Sequence, residues 1–75
     1  MRITVKLIGP LIYAAGFSEK EVAFRGPATP EDLMARFNIE KTRPTIITRN
    51  GKAITHCDAL KDGDRVVISP IYSGG

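Results

Sequence analysis

Thr29-Pro30-Glu31-Asp32-Leu33-Met34-Ala35-Arg36-Phe37-Asn38 is the stretch on which the fold turns. Thr29 offers a hydroxyl to the unpaired amides of a helix start, and Pro30 suits the first helical position, where its missing N–H is not needed. Glu31 and Asp32 place negative charge where the helix dipole favours it. Leu33, Met34 and Phe37 share one face, and Asn38 is a residue that ends helices. The spacing predicts one short helix of about two turns, set in the middle of the chain.

Strand patterns lie on both sides of it. Over residues 1–8, Ile3, Val5 and Leu7 alternate with Arg2, Thr4 and Lys6, the two-residue period of a half-buried strand. Gly9-Pro10 ends that run, and the segment to Gly16 has no clear period, which fits a loop or a short helical turn. A second strand is read at residues 20–24, close enough to the first for an antiparallel hairpin. Beyond the helix, residues 45–49 are β-branched and lead through Asn50-Gly51, a two-residue hairpin signal, into a strand at 52–55. Asp62-Gly63-Asp64 is a turn. Residues 65–69 alternate again, with Val66 and Ile68 on one face and Arg65, Val67 and Ser69 on the other. The order strand, strand, helix, strand, strand, strand excludes a βαβ array and fits one mixed sheet over one helix. The β-grasp architecture is one such arrangement among the small α+β folds.

Composition narrows the function classes. A chain of 75 residues has room for one domain with a modest core. With one cysteine, Cys57, it has no internal disulfide to reinforce that core. One His and one Cys, adjacent at His56 and Cys57, do not make a metal-ligand set, and neighbours on an extended chain point to opposite sides. No apolar run has the length of a signal sequence or a membrane helix, so the expected location is the cytoplasm, without a membrane partner. Eleven Lys and Arg against eight Asp and Glu give a net charge of +3. The basic residues are scattered and lack interleaved aromatics, which argues against a nucleic-acid groove.

Asp58-Ala59-Leu60-Lys61-Asp62-Gly63-Asp64-Arg65-Val66-Val67-Ile68, then Pro70 and a terminal Gly74-Gly75, resembles the end of the MoaD and ThiS sulfur carriers. In that family a Leu-x-(Asp or Glu)-Gly-Asp turn leads into the last strand, and the chain stops at Gly-Gly. The first strand, the helix from Pro30 and the Asn50-Gly51 hairpin extend the resemblance over almost the whole chain; the segment 9–18 carries it least. The resemblance implies a ubiquitin-like β-grasp domain over residues 1–69 and a flexible tail over residues 70–75. It also implies a protein co-substrate rather than an enzyme, alone or as the non-catalytic small subunit of a sulfurtransferase. Its C-terminal glycine, Gly75, would be adenylated by a MoeB- or ThiF-like activating enzyme and converted to a thiocarboxylate. The carrier itself would bind no cofactor; MgATP would be used by the partner enzyme. The sulfur would pass to an acceptor synthase such as a molybdopterin synthase large subunit.

The residues suit that chemistry. A free α-carboxylate has a pKa of about 3.5, so Gly75 is ionised at neutral pH and must be activated before substitution. Gly74 and Gly75 carry no Cβ and can thread a narrow channel. Six residues from Pro70 reach about 20 Å when extended. Pro70 stiffens the exit of the tail or simply ends the strand, Ile71 and Tyr72 are candidate apolar anchors on a partner, and Ser73 precedes the glycines. Arg65 and Val67 lie on the outer sheet face with Arg2, Thr4, Lys6 and Ser69. That face reads as polar and basic, where the family's docking face is more apolar. Asp62 and Asp64 read as turn residues rather than an acid–base pair.

Three readings of function follow. The first is a sulfur carrier, whose destination is molybdopterin by the Gly9-Pro10-Leu11 loop, with a thiazole or a thiolated tRNA base as alternatives. The second is a ubiquitin-like modifier, which shares the chemistry up to activation. The third is a non-covalent RNA-binding module working through the basic sheet face.

Overall fold

Alternation at the N-terminus becomes β1 (Arg2–Leu7), whose inward residues Ile3, Val5 and Leu7 are fully or almost fully buried. The computed structural model describes residues 1–40 and 44–71. Gly9, at positive φ, turns the chain into α1 (Leu11–Ala15), a single turn that buries Leu11 and ends at Gly16 in the left-handed region. The unpatterned segment after β1 is therefore a short helical turn. β2 (Glu19–Ala23) returns antiparallel to β1, one residue earlier at each end than the alternation suggests.

The central helix, α2 (Pro30–Arg36), starts as its sequence dictates. Asp32 N donates to the Thr29 hydroxyl, and the Asp32 carboxylate accepts from Thr29 N at 2.8 Å, a reciprocal capping box. Leu33, Met34 and Phe37 are buried, and Asn38 takes a φ of 59°, which stops the helix. Phe37 meets Phe17 edge-to-face at 4.7 Å between ring centroids, which ties α2 to the segment after α1.

β3 (Thr45–Arg49) and β4 (Lys52–Ile54) form the hairpin expected from Asn50-Gly51; both turn residues have positive φ, as a tight two-residue turn requires. β5 (Arg65–Pro70) completes a five-stranded sheet in the order β2-β1-β5-β3-β4. β5 runs parallel to β1 and antiparallel to β3, so the last strand occupies the centre. Val66 and Ile68 on β5 are completely buried beside Val5 and Leu7. One core, between this sheet and α2, also takes in Leu11, Val22, Ile39, Ile47 and Leu60. This is the β-grasp arrangement.

The Leu60 to Asp64 turn sets where β5 begins. Gly63, at φ 85°, donates its N–H to the Arg2 carbonyl, and the Asp62 carboxylate accepts from Arg2 N. Asp64 is 7% exposed. Its carboxylate accepts from Lys61 N at 2.7 Å and from Asn50 Nδ2 at 3.0 Å, with Arg49 Nε 4.0 Å away. Asn50 Oδ1 in turn accepts from Arg65 N. The acidic pair of the turn thus serves backbone and hairpin, the role its sequence suggests, and joins the β3–β4 turn to the first residue of β5.

Candidate functional site: the end of the central strand

Because β5 lies between β1 and β3, the chain leaves the domain from the middle of the sheet. The sequence places the start of the tail at Pro70, but the strand continues through it: Pro70 pairs with Thr45, and Ile71 N donates to the Pro44 carbonyl at 3.1 Å. A proline is admissible here for a local reason. Ile8 N donates to the Ile68 carbonyl, so the polar groups of Ile68, and of Pro70 two residues on, face the β1 side. β1 has ended by then, so the missing N–H of Pro70 breaks no ladder bond.

Of the candidate site residues, Gly75, Gly74, Ser73 and Tyr72 lie outside the described residues. Ile71 is half exposed directly after β5. Arg65 is exposed and Val67 half-buried, both on the sheet face opposite α2, together with Arg2, Thr4, Lys6 and Ser69.

That face differs from the basic surface expected of it. Across the β1–β2 half, Arg2 is paired with Glu21 at 3.0 Å and Arg65 with Glu19 at 2.8 Å. Glu19 also stands opposite Lys6 in the register. The acidic residues of β2 offset the basic residues of β1 and β5, because alternation puts Glu19 and Glu21 on the same side as Arg2 and Lys6. Across the β5–β3 half the surface is apolar and uncharged: Val67, Ser69, Thr48 and the exposed Ile46. Sequence reading missed Ile46. The signal was the adjacent pair Ile46-Ile47, since only one of two neighbours on a strand can face the core, and Ile47 does.

Elsewhere, His56 and Cys57 are both exposed in the loop after β4, where the Thr55 hydroxyl lies 3.8 Å from the Cys57 sulfur. That loop is structural: the His56 carbonyl accepts from Glu31 N at the start of α2. Among the described residues there is no pocket and no group of three or more His, Cys, Asp or Glu placed to hold a metal ion. No described helix is long and apolar enough to cross a membrane. Among the described residues, the central strand β5 leads out of the sheet beside an apolar half-face.

Comparison with known proteins agrees with this geometry. The ThiS family model matches residues 5–75. SAMP1 of Haloferax volcanii, a small archaeal modifier protein, is 26% identical over the whole of both chains, with a TM-score of 0.77. A Pyrococcus furiosus protein assigned as subunit 1 of molybdopterin converting factor is 25% identical over 93% of this chain and 97% of its own, with a TM-score of 0.75. Subunit 1 of the Helicobacter pylori molybdopterin-converting factor, solved in complex with subunit 2, shares the fold at 21% identity and a TM-score of 0.65 over the full length of both chains.

Proposed function

The chain belongs to the ThiS family of ubiquitin-like sulfur carriers, and from that premise we propose that it is a protein co-substrate whose Gly75 carboxylate is adenylated and then converted to a thiocarboxylate. The observation that carries this reading is the placement of β5. The central strand of the sheet is pinned on both sides as far as Ile68 and on the β3 side as far as Ile71, and the next four residues are Tyr72-Ser73-Gly74-Gly75.

In the first step the carboxylate oxygen of Gly75 attacks the α-phosphorus of ATP and pyrophosphate leaves, giving an acyl adenylate. A sulfide equivalent supplied by a sulfur donor then attacks the acyl carbon and AMP departs. Catalytic groups for both steps belong to a MoeB- or ThiF-like activating enzyme, which also holds the MgATP. This chain contributes the reacting carboxylate, two glycines that leave room around it, and a docking surface. Pro70, Ile71 and Tyr72 would form the root of the tail on that surface, with Ser73 between root and glycines. Val67 would contribute apolar contact, and Arg65 a charge at its border.

The destination we favour is molybdopterin, with an acceptor synthase large subunit as the second partner. The similarity to two molybdopterin-converting subunits supports it, and one of these is solved with its own subunit 2. Similarity to a modifier protein keeps the second reading, isopeptide conjugation from the same activated glycine, in view. The RNA-binding reading is the least favoured, since Glu19 and Glu21 offset two of its three basic groups.

Intact-mass measurement tests the proposal. Incubation with the activating enzyme, MgATP and a sulfur donor adds about 16 Da, one oxygen replaced by sulfur. An unchanged mass under conditions that convert a control carrier rejects it. Covalent adducts on other proteins in extract, lost on deletion of Gly74-Gly75, would instead point to conjugation.

A further inference from the structure

The large apolar side chains that stand exposed among the described residues are Ile8 (36%), Tyr13 (89%), Ile46 (49%) and Ile71 (50%). They come from four separate places in the sequence, yet all lie at one end of the sheet. β1 and β5 run parallel, and β3 runs antiparallel to β5, so the end of β1, the end of β5 and the start of β3 coincide. Ile8 N bonded to the Ile68 carbonyl, and Ile71 N bonded to the Pro44 carbonyl, tie the three together, each at 3.1 Å. α1 begins three residues after Ile8, at this same end. It is the end from which the chain leaves toward Gly75.

Tyr13 is the most exposed of the four, but its backbone is held. Leu11 is fully buried beneath it, the Pro10 carbonyl accepts from Tyr13 N at 3.2 Å, and Gly16 N closes the turn on the Ile12 carbonyl at 2.8 Å. An aromatic side chain carried on a held backbone and left in water gains nothing for the isolated domain. Such rings are the residue type on which interfaces concentrate their binding energy.

We propose that α1 is a recognition element for the adenylating enzyme and that Tyr13 is its anchor. The inference rests on the carrier reading above and adds to it the surface by which the enzyme selects this carrier. Four residues follow Ile71 and span at most about 14 Å when extended. An active site that takes the Gly75 carboxylate must therefore come within that distance of Ile71, and the rim of its tail channel must meet this end of the sheet. Tyr13 and Ile8 lie on the β1 side of the tail, Ile46 on the β3 side. The partner surface that fits is an apolar shelf beside a narrow channel, with a recess for one aromatic ring. The Arg2–Glu21 and Arg65–Glu19 pairs lie on the remaining half of the sheet face, so net charge contributes little to the docking.

The test is carrier-dependent ATP–pyrophosphate exchange by the adenylating enzyme of the same organism, with the full-length chain as the varied substrate. Tyr13→Ala raises the KM for the carrier about tenfold, the loss typical of a truncated interface aromatic, while Tyr13→Phe keeps the wild-type value. Arg25→Ala, following β2 at the opposite end of the sheet, also leaves KM unchanged. A Tyr13→Ala carrier that folds normally by circular dichroism and retains a KM within a factor of two of wild type overturns the anchor while leaving the carrier reading intact. A wild-type carrier that supports no exchange overturns both.

Discussion

The amide of Ile71 donates to the carbonyl of Pro44 at 3.1 Å, which extends the β5–β3 ladder one residue past Pro70. The root of the tail is thereby part of the sheet, and the direction in which the chain sets out is fixed by the fold. Gly74 and Gly75 come three and four residues after Ile71 in the chain and carry no side chain to bury. Deleting both leaves unfolding free energy within about 0.5 kcal/mol of wild type and abolishes adenylation and the gain in mass. A denaturant melt and an intact-mass spectrum on the same sample check the two halves. Loss of stability on deletion would give the glycines a structural role that the proposed function does not assign.

The turn that carries the family resemblance is structural, and this has a measurable consequence at Asp64. Its carboxylate accepts from Lys61 N and Asn50 Nδ2 at a site only 7% exposed. Asp64→Ala leaves both donors without their partner and costs about 3 kcal/mol, a large part of what so small a domain has. Asp64→Asn keeps one accepting oxygen and costs less. The order Ala worse than Asn worse than wild type in urea midpoints is expected. Under conditions where the variants remain folded, the tail is still adenylated, because Asp64 acts on the start of β5 and not on its end.

The ion pairs of the outer face should matter little to stability. Arg65 and Glu19 are each about half exposed, and such pairs are screened and entropically costly to order. Glu19→Gln therefore changes unfolding free energy by less than about 0.5 kcal/mol, and raising salt erases the difference. The same pairing predicts no measurable retention of a single-stranded oligonucleotide at physiological salt in a filter-binding assay. Tight, salt-sensitive retention would revive the RNA-binding reading.

Helix α2 offers a check on how far local sequence governs this fold. Thr29→Ala removes the hydroxyl that accepts from Asp32 N and half of the capping box, and costs about 1 kcal/mol. Thr29→Ser retains the cap and most of the stability. Thermal melts of the two variants against wild type separate the cap from any packing contribution of the Thr29 methyl.

That cap, the Asn50-Gly51 hairpin and the alternation of β1 and β5 were legible because each is local: a hydroxyl three residues from an amide, two residues at positive φ, a period of two. The single turn of α1 was only half legible, since five residues show no period and Pro10 supplies no side-chain cap. The parallel pairing of β1 with β5 joins residues about sixty apart and leaves no local mark. The outer face was misread for the same reason. Arg2, Lys6 and Arg65 could be placed on it by alternation, but that Glu19 and Glu21 stand beside them, and Ile46 beside Ser69, depends on which strands are neighbours. Pro70 reads as the start of the tail, stiffening it or ending the strand, because a proline inside a central strand normally breaks a ladder; the early end of β1 makes it harmless there.

Ile46 is where the corrected face can be put to a quantitative test. It lies across from Ser69 on the side of β3 away from the core, half exposed, while its neighbour Ile47 fills the core beside Ile68. Ile46→Lys therefore costs about 1 kcal/mol or less in stability, the range of strand propensity at an exposed site. In the proposed complex the same change puts an ammonium group on the apolar half-face, across from Ser69. Affinity for the activating enzyme, measured by isothermal titration with a non-hydrolysable ATP analogue present, falls at least about tenfold. Ile46→Val, which keeps the apolar surface, stays near wild type. If Ile46→Lys binds as tightly as wild type while the deletion of Gly74 and Gly75 abolishes adenylation, the β3 half of the sheet plays no part in docking.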